Sequence, residues 1–274
     1  MAELLVEDVT VAFGALRALE GVSLTVHDHE VLGVIGPNGA GKTTLFNVIC
    51  GFVRPSAGRL QFGPSVLRSH KPYDLAGHGI ARTLQGVGMW AGLNVVENVM
   101  AGATAQAKAG LAASLIGLRR STRDEAALRD RAMVVLEELR VAEYALRFPP
   151  ALPYAIQKRV ALARALVNEP SLILLDEPAS GLSEGEMDEL GALIRRLKER
   201  MSVLLVEHHM DLVMAICDRL VVLDFGRVIA TGSPDEVRTN PEVTRAYLGE
   251  DVSDAAEPAD FGDAATLGDP DARG

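Results

Sequence analysis

Residues Val31–Cys50 read VLGVIGPNGAGKTTLFNVIC, and the reading of this stretch decides the fold. Val31–Ile35 is a short apolar run of the kind that forms a buried strand. Gly36–Lys42 is a glycine-rich turn, and from Thr43 the pattern becomes helical. The spacing G-x-x-x-x-G-K-T is complete at Gly36, Gly41, Lys42 and Thr43. Such a loop folds its backbone N–H groups into a nest for the α- and β-phosphates of a nucleotide, and the helix start behind it adds partial positive charge. Lys42 can reach the β- and γ-phosphates, and the Thr43 hydroxyl can ligate Mg2+. The bland alternative is a glycine-rich turn that binds nothing; the strand before, the helix after and the GKT ending argue against it. Binding of ATP or GTP is therefore the first expectation, and its purpose must come from the rest of the chain.

The chain has 274 residues, 48% of them apolar, enough for one large domain or one domain with a smaller lobe. A net charge of -10 and the absence of any Lys/Arg block disfavour a nucleic-acid partner. Much of the acidity lies in the tail, where 250–274 carries eight Asp or Glu against the single Arg273. Cys50 and Cys217 sit in apolar patterns and read as buried thiols rather than a disulfide. No HxxxH or CxxC metal spacing occurs, and neither a signal peptide nor a membrane-spanning apolar stretch is expected.

Toward the N-terminus, Leu4–Phe13 alternates as a half-buried strand and Ala18–Val26 reads as a second, with Gly21 at a turn or bulge. Together they predict an antiparallel layer beside the nucleotide-binding strand. Phe13 can stack on an adenine ring or simply pack in the core. Toward the C-terminus come a short strand around Arg59–Phe62, a helix start at Pro72–Ala76 and the segment leading to Gln85. A neutral amide such as Gln85 can hydrogen-bond a metal-bound water without adding charge. Asn94 or Asn98 can cap a helix over Val95–Ala109, 110–123 is a less regular surface excursion, and Asp124–Leu139 is an amphipathic helix. The simplest grouping is a small helical lobe from about Ser69 to Leu152, serving to transmit motion or dock a partner, or as a lid.

Ile156–Val167 is helical, and Leu172–Leu175 is a buried parallel strand ending in Asp176 and Glu177. Asp176 can hold Mg2+ and Glu177 can polarise an attacking water, the division of labour that phosphoryl transfer needs. A second buried strand, Met201–Glu207, ends at His208 and His209; His208 is the better candidate to hydrogen-bond a γ-phosphate, while His209 is an exposed neighbour or a helix cap. Asp211–Cys217 is helical, Leu220–Asp224 is a strand, Gly226 turns a hairpin, and short helices begin near Ser233 and Asn240.

Taken together the run resembles the ATP-binding subunit of an ATP-binding-cassette (ABC) transporter over roughly residues 3–249. GPNGAGKTT (36–44) looks like its Walker A motif, Gln85 its Q-loop glutamine, LILLDEP (172–178) its Walker B motif, His208 its switch histidine and Phe13 its A-loop aromatic. FGALRAL, ARTLQ, LPYAIQKRVALARAL, EHHMDLVMAICDRLVVLDFGRVIATGSPDEV and NPEVTRAYLG are most similar to the branched-chain amino-acid importer subunits, and the excursion at 110–123 fits the longer of the two ATPase subunits. The resemblance implies an α/β P-loop NTPase fold of ABC ATPase type, with a mixed central sheet, an antiparallel β layer and a helical subdomain. It implies a domain over 1–249, the helical subdomain at about 69–152 inserted in a RecA-like core, and a disordered acidic tail at 250–274. It also implies ATP and Mg2+ as ligands: Phe13, Gly36, Pro37, Asn38, Gly39, Ala40, Gly41, Lys42, Thr43 and Thr44 for the nucleotide, Thr43 with Asp176 and Gln85 (these two through water) for the metal, and Glu177, His208 and Gln85 for catalysis.

The implied partners are a second ABC ATPase subunit in a head-to-tail heterodimer, two transmembrane permeases and a solute-binding protein, with the chain peripheral on the cytoplasmic face of the inner membrane. The cargo implied is a branched-chain or related amino acid, with urea or short amides as relatives. A soluble cassette acting on ribosomes or nucleic acid, and a regulatory module with little turnover, are the competing functions. The chain departs from the family pattern at the signature, where 152–157 reads LPYAIQ: Ala155 replaces a glycine and Ile156 a glutamine. The added methyl is expected to crowd the partner's γ-phosphate or forbid the needed torsions. Two milder departures are Ser183, where Asp or Asn is common, and His209, where Asp is usual.

Overall fold

The computed structural model describes residues 2–83, 87–103 and 119–253; the side chains of 119–124 and 248–253 are outside that description. Strands β1 (Leu4–Phe13), β2 (Leu16–Val26), β4 (Ala57–Phe62) and β5 (Ser65–Val66) form an antiparallel sheet in the order β2-β1-β4-β5. The second sheet combines β3 (Val31–Ile35), β6 (Ile80–Arg82), β7 (Leu172–Asp176), β8 (Ser202–Val206), β9 (Arg219–Asp224) and β10 (Arg227–Gly232) in the order β10-β9-β3-β8-β7-β6. Its neighbours run parallel except β9 and β10, so the central sheet is mixed, with the antiparallel layer beside it.

Every residue of β3, β7 and β8 is buried, as expected for parallel strands covered on both faces. Alternation along each strand divides these residues between two cores. Leu32, Val34, Leu174 and Leu204 face the antiparallel sheet and helix α1 (Lys42–Ile49), whose Leu45, Phe46 and Ile49 are fully buried there. Ile35, Ile173, Leu175 and Val203 face the remaining helices. In β1, Asp8 takes a left-handed φ of 49°, and the register with β2 slips between Val6 and Val9. This bulge keeps Leu4, Val6, Val9 and Val11 on the buried face.

Helix α2 (Val95–Gly102) packs on α3 (Arg119–Glu138) and α4 (Tyr154–Leu166) to form the helical layer. Asn94 caps α2 by accepting from the Glu97 N–H, while Glu97 accepts from the Asn94 N–H. Asn98 is instead fully buried, its amide donating to the carbonyls of Trp90, Leu93 and Asn94. Helix α5 (Glu184–Lys198), absent from the sequence reading, packs on β8 and on α6 (Met210–Ile216), followed by α7 (Pro234–Arg238) and α8 (Pro241–Ser253). Its signal was the capping box at Ser183 and Glu186.

Three expected boundaries move. The helical lobe does not begin near Ser69, because Pro72–His78 is a 3-10 turn feeding β6, and β6 is hydrogen-bonded into the central sheet beside β7. α3 begins at Arg119 rather than Asp124, and Ala127, expected on its apolar face, is exposed. α8 runs through residue 250 to Ser253, so the expected start of the tail falls inside a helix. Gln85, most of the excursion at 110–123 and the tail from 254 lie outside the described residues.

Cys50 and Cys217 are free, buried and capping the ends of α1 and α6. Burial pushes the Cys50 thiol up to about 11 and the Cys217 thiol to about 12, from an ordinary 9.0. A raised thiol pKa stabilises the fold below the unfolded value, and that contribution is lost as pH rises from about 9 toward the folded values. The native chain should therefore resist thiol reagents at pH 8, both sites should react in denaturant, and urea stability should fall between pH 9 and 11.

Candidate active site

β3 leaves the sheet at Gly36, whose φ is 148° and where a Cβ would lie 2.0 Å from the Leu223 carbonyl oxygen. Gly41, at φ 104°, would bring a Cβ within 2.7 Å of the Ala18 carbonyl oxygen. Only glycine fits at both points, so the loop is wedged between β9 and β2 with its shape set by neighbouring backbone. Lys42 is buried, and its ammonium donates to the carbonyls of Gly36 and Pro37, the latter at 2.7 Å. Thr43 is exposed in the first turn of α1.

Because β8 lies between β3 and β7, the ends of β7 and β8 are adjacent, and the segments that follow them are brought together. Glu177 follows β7 with a left-handed φ of 48°, a costly conformation for a residue with a Cβ and one concentrated at functional sites. Its N–H donates to the Val206 carbonyl at 2.9 Å, and its Oε1 lies 3.0 Å from His208 Nε2. A carboxylate only accepts, so the histidine nitrogen donates in this pair. Lys158 of α4 spans the turn from the other side, its ammonium donating to the carbonyls of Pro178 (2.8 Å) and Glu177 (3.3 Å). Burial holds the Lys158 pKa below the ordinary lysine value, against the pull of Glu207 and Glu177.

Glu207 is 2% exposed and joins the two strand ends. Its Oε1 accepts from the Ala179 N–H and its Oε2 from the His208 N–H, each at 2.8 Å. A glutamate this deeply buried is held by such charge-assisted bonds. His209 lies over the same carboxylate, with Nδ1 3.5 Å from Glu207 Oε2, at the start of α6.

A groove of about 380 Å³ gathers Phe13, Asn38, Gly39, Ala40, Gly41, Lys42, Thr43, Thr44, Glu177 and His208, together with Phe225. Thus most of the expected residues meet at one surface; Gly36 and Pro37 lie buried beneath it, and Phe13 is 53% exposed rather than packed in the core. Asp176 does not line the groove. Its Oδ2 accepts from Arg82 Nη2 at 2.8 Å, and Arg82 also donates to Asn47 Oδ1. Arg82, Lys158, Glu207 and Phe225 were missed in the sequence; a charged residue closing an apolar strand, as Glu207 does, was the available signal.

The signature segment corrects one expectation. Ala155 lies in the first turn of α4 with right-handed helical torsions, which any L-residue adopts, so the torsional objection falls. Ala155, half-buried, borders a cavity of about 150 Å³ between α4 and α5 together with Leu162, Leu175 and Leu193, and Ile156 packs against the helical core. Pro153, at the N-cap, makes no side-chain bond to the helix N–H groups. Ser183 starts α5 at its N-cap, with its N–H and hydroxyl both donating to Glu186 Oε2; an ionised Asp in its place would have no side-chain proton to give Glu186.

Among the described residues no group of three or more His, Cys, Asp and Glu side chains forms a metal cage. A magnesium ion carried by a triphosphate needs less: one or two protein oxygens and the phosphates. The exposed Thr43 beside the glycine cradle can supply one such oxygen, while Asp176 is buried and paired with Arg82 in this state.

A family model described as ABC transporter matches residues 19–180, and one described as Branched-chain amino acid ATP-binding cassette transporter matches 227–253. The chain is 39% identical over 249 residues to the high-affinity branched-chain amino acid transport ATP-binding protein LivG of Salmonella typhimurium, covering 90% of this chain and 98% of the relative. It is 38% identical over 247 residues to BraF of Pseudomonas aeruginosa, a protein of the same description, covering 89% and 97%. A solved nucleotide-free ATP-binding cassette from an ABC transporter superposes with a TM-score of 0.79 at 30% identity, covering 90% of this chain and 99% of that one. The ADP conformation of the cassette MJ1267 gives 0.78 at 31%, covering 91% and 99%.

Proposed function

The chain belongs to the ABC transporter family, in its branched-chain amino acid branch, and from that premise we propose that it is the Mg-ATP-hydrolysing subunit that powers import of branched-chain or related amino acids. The observation carrying this reading is the convergence of the phosphate loop, Glu177 and His208 on one groove. The triphosphate lies along the loop, and Lys42 exchanges its two loop carbonyls for phosphate oxygens. Glu177 accepts the proton of the attacking water, while His208, whose Nε2–H donates to Glu177 in this state, turns that N–H to the γ-phosphate. Mg2+, when bound, neutralises phosphate charge, with Thr43 and Asp176 to hold it; Gln85 is the expected third contributor.

Partners follow from the same reading. A second ATPase subunit pairs head to tail, two permeases receive the motion, and a solute-binding protein delivers cargo. The chain is then peripheral on the cytoplasmic face of the inner membrane. Among the described residues no helix is long and apolar enough to cross a membrane. With Ala155 in the first helical turn, α4 offers the partner's nucleotide its uncapped N–H groups but no glutamine amide at Ile156, so the partner's site is the weaker of two.

Lys42→Ala tests the core of the proposal. Calorimetry with Mg-ATP should show affinity reduced at least about 100-fold, because a buried cation facing the phosphates is lost. Co-purification with permease subunits tests the transport assignment; recovery with ribosomes instead would support the soluble-cassette alternative.

A further inference from the structure

β9 passes into β10 through Phe225 and Gly226, with Arg227 paired to Asp224. Both turn residues have positive φ, 41° and 77°. This is the two-residue primed hairpin turn, whose first position favours Asn, Asp or Gly and disfavours a bulky aromatic. The fold returns nothing for that cost, because Phe225 is 85% exposed. The turn is nevertheless held firmly: the Gly226 N–H donates to the Ala40 carbonyl of the phosphate loop at 3.0 Å, and the Gly226 carbonyl accepts from the Glu20 N–H at 2.8 Å. A Cβ on Gly226 would lie 2.7 Å from the Ala18 carbonyl oxygen of β2, and a Cβ on Gly41 would lie 3.5 Å from Gly226 Cα, so the turn is packed against both β2 and the phosphate loop. The ring is thereby kept at the groove, which Phe13 also lines from the other sheet.

We infer that Phe225 is a second base-contacting residue, packing with Phe13 against the nucleobase and ribose of a bound nucleoside triphosphate. Aromatic faces accept any base, so the contact adds affinity and orientation rather than choice of base. The inference rests on the nucleotide-binding reading above and adds to it a residue acting on the base end alone.

The test compares Mg-ATP with inorganic tripolyphosphate, which lacks base and ribose, on the full chain by calorimetry. Phe225→Asn removes the ring and installs a residue the turn favours, so its melting temperature should equal or exceed that of wild type. ATP affinity should fall about five- to tenfold with tripolyphosphate affinity unchanged, and Phe225→Tyr should restore ATP affinity. An unchanged ratio of the two affinities in Phe225→Asn overturns the inference alone. A wild-type chain that binds neither probe overturns the nucleotide reading and this inference with it.

Discussion

Glu177→Gln lowers steady-state ATP hydrolysis by about 10²–10⁴-fold, the range for loss of a positioned general base, and leaves Mg-ATP affinity within about twofold of wild type. The two effects separate because of where the side chain sits. The phosphate loop and Lys42 form without help from Glu177, so the ground-state grip on the triphosphate stays intact. Glutamine has the shape of glutamate and its amide oxygen can still accept from His208, across the 3.0 Å that separates the pair now. It cannot take up a proton. The backbone cost of φ 48° is the same for both residues, so the fold should be unaffected. Phosphate release from the reconstituted transporter measures the loss, with the matching change in the partner ATPase as the comparison. Equal losses from the two changes would refute unequal sites, and no loss in this chain would remove Glu177 from the mechanism.

The second large effect is expected at Glu207, which touches no substrate. Glu207→Leu strands the Ala179 and His208 N–H groups without an acceptor in a buried environment. Each orphaned donor costs about 1–3 kcal/mol, and for a domain of this size each kcal/mol lowers the melting temperature by about 2–4 °C. A drop of roughly 4–24 °C should follow. Turnover should fall as well, because the same carboxylate ties the turn after Glu177 to the segment bearing His208. Glu207→Gln keeps one accepting oxygen and should recover part of both losses. Thermal melts with ATP turnover check this, and a Glu207→Leu chain as stable as wild type would mean that the two N–H groups find other partners.

The contrast between these residues shows what was legible in the sequence. Glu177 was readable because it ends an apolar strand beside Asp176, downstream of a complete phosphate-loop motif. Glu207 ends an apolar strand in the same way, but His208 follows it directly, and nothing local says which of two adjacent polar residues turns inward. Asp176 was readable as a carboxylate, whereas its pairing with Arg82 was not, because those residues are 94 positions apart. Helix α5 carried only a short local signal, the capping box of Ser183 and Glu186, which lies directly after the Walker B segment.

The sequence by itself determined the phosphate loop, the buried strands and the family resemblance. Those features are local: glycine torsions, apolar runs and residue spacing act over a few positions, and the chain carries them wherever it folds. Only the tertiary structure decided that Glu177 faces His208, that Asp176 faces Arg82, that Ala155 borders the cavity between α4 and α5 and that Phe225 lines the groove with the loop. The reason is the strand order. Placing β8 between β3 and β7, and β9 on the far side of β3, brings four distant segments to one end of a sheet. Strand order is set by how whole faces bury against each other, which no short window of sequence contains.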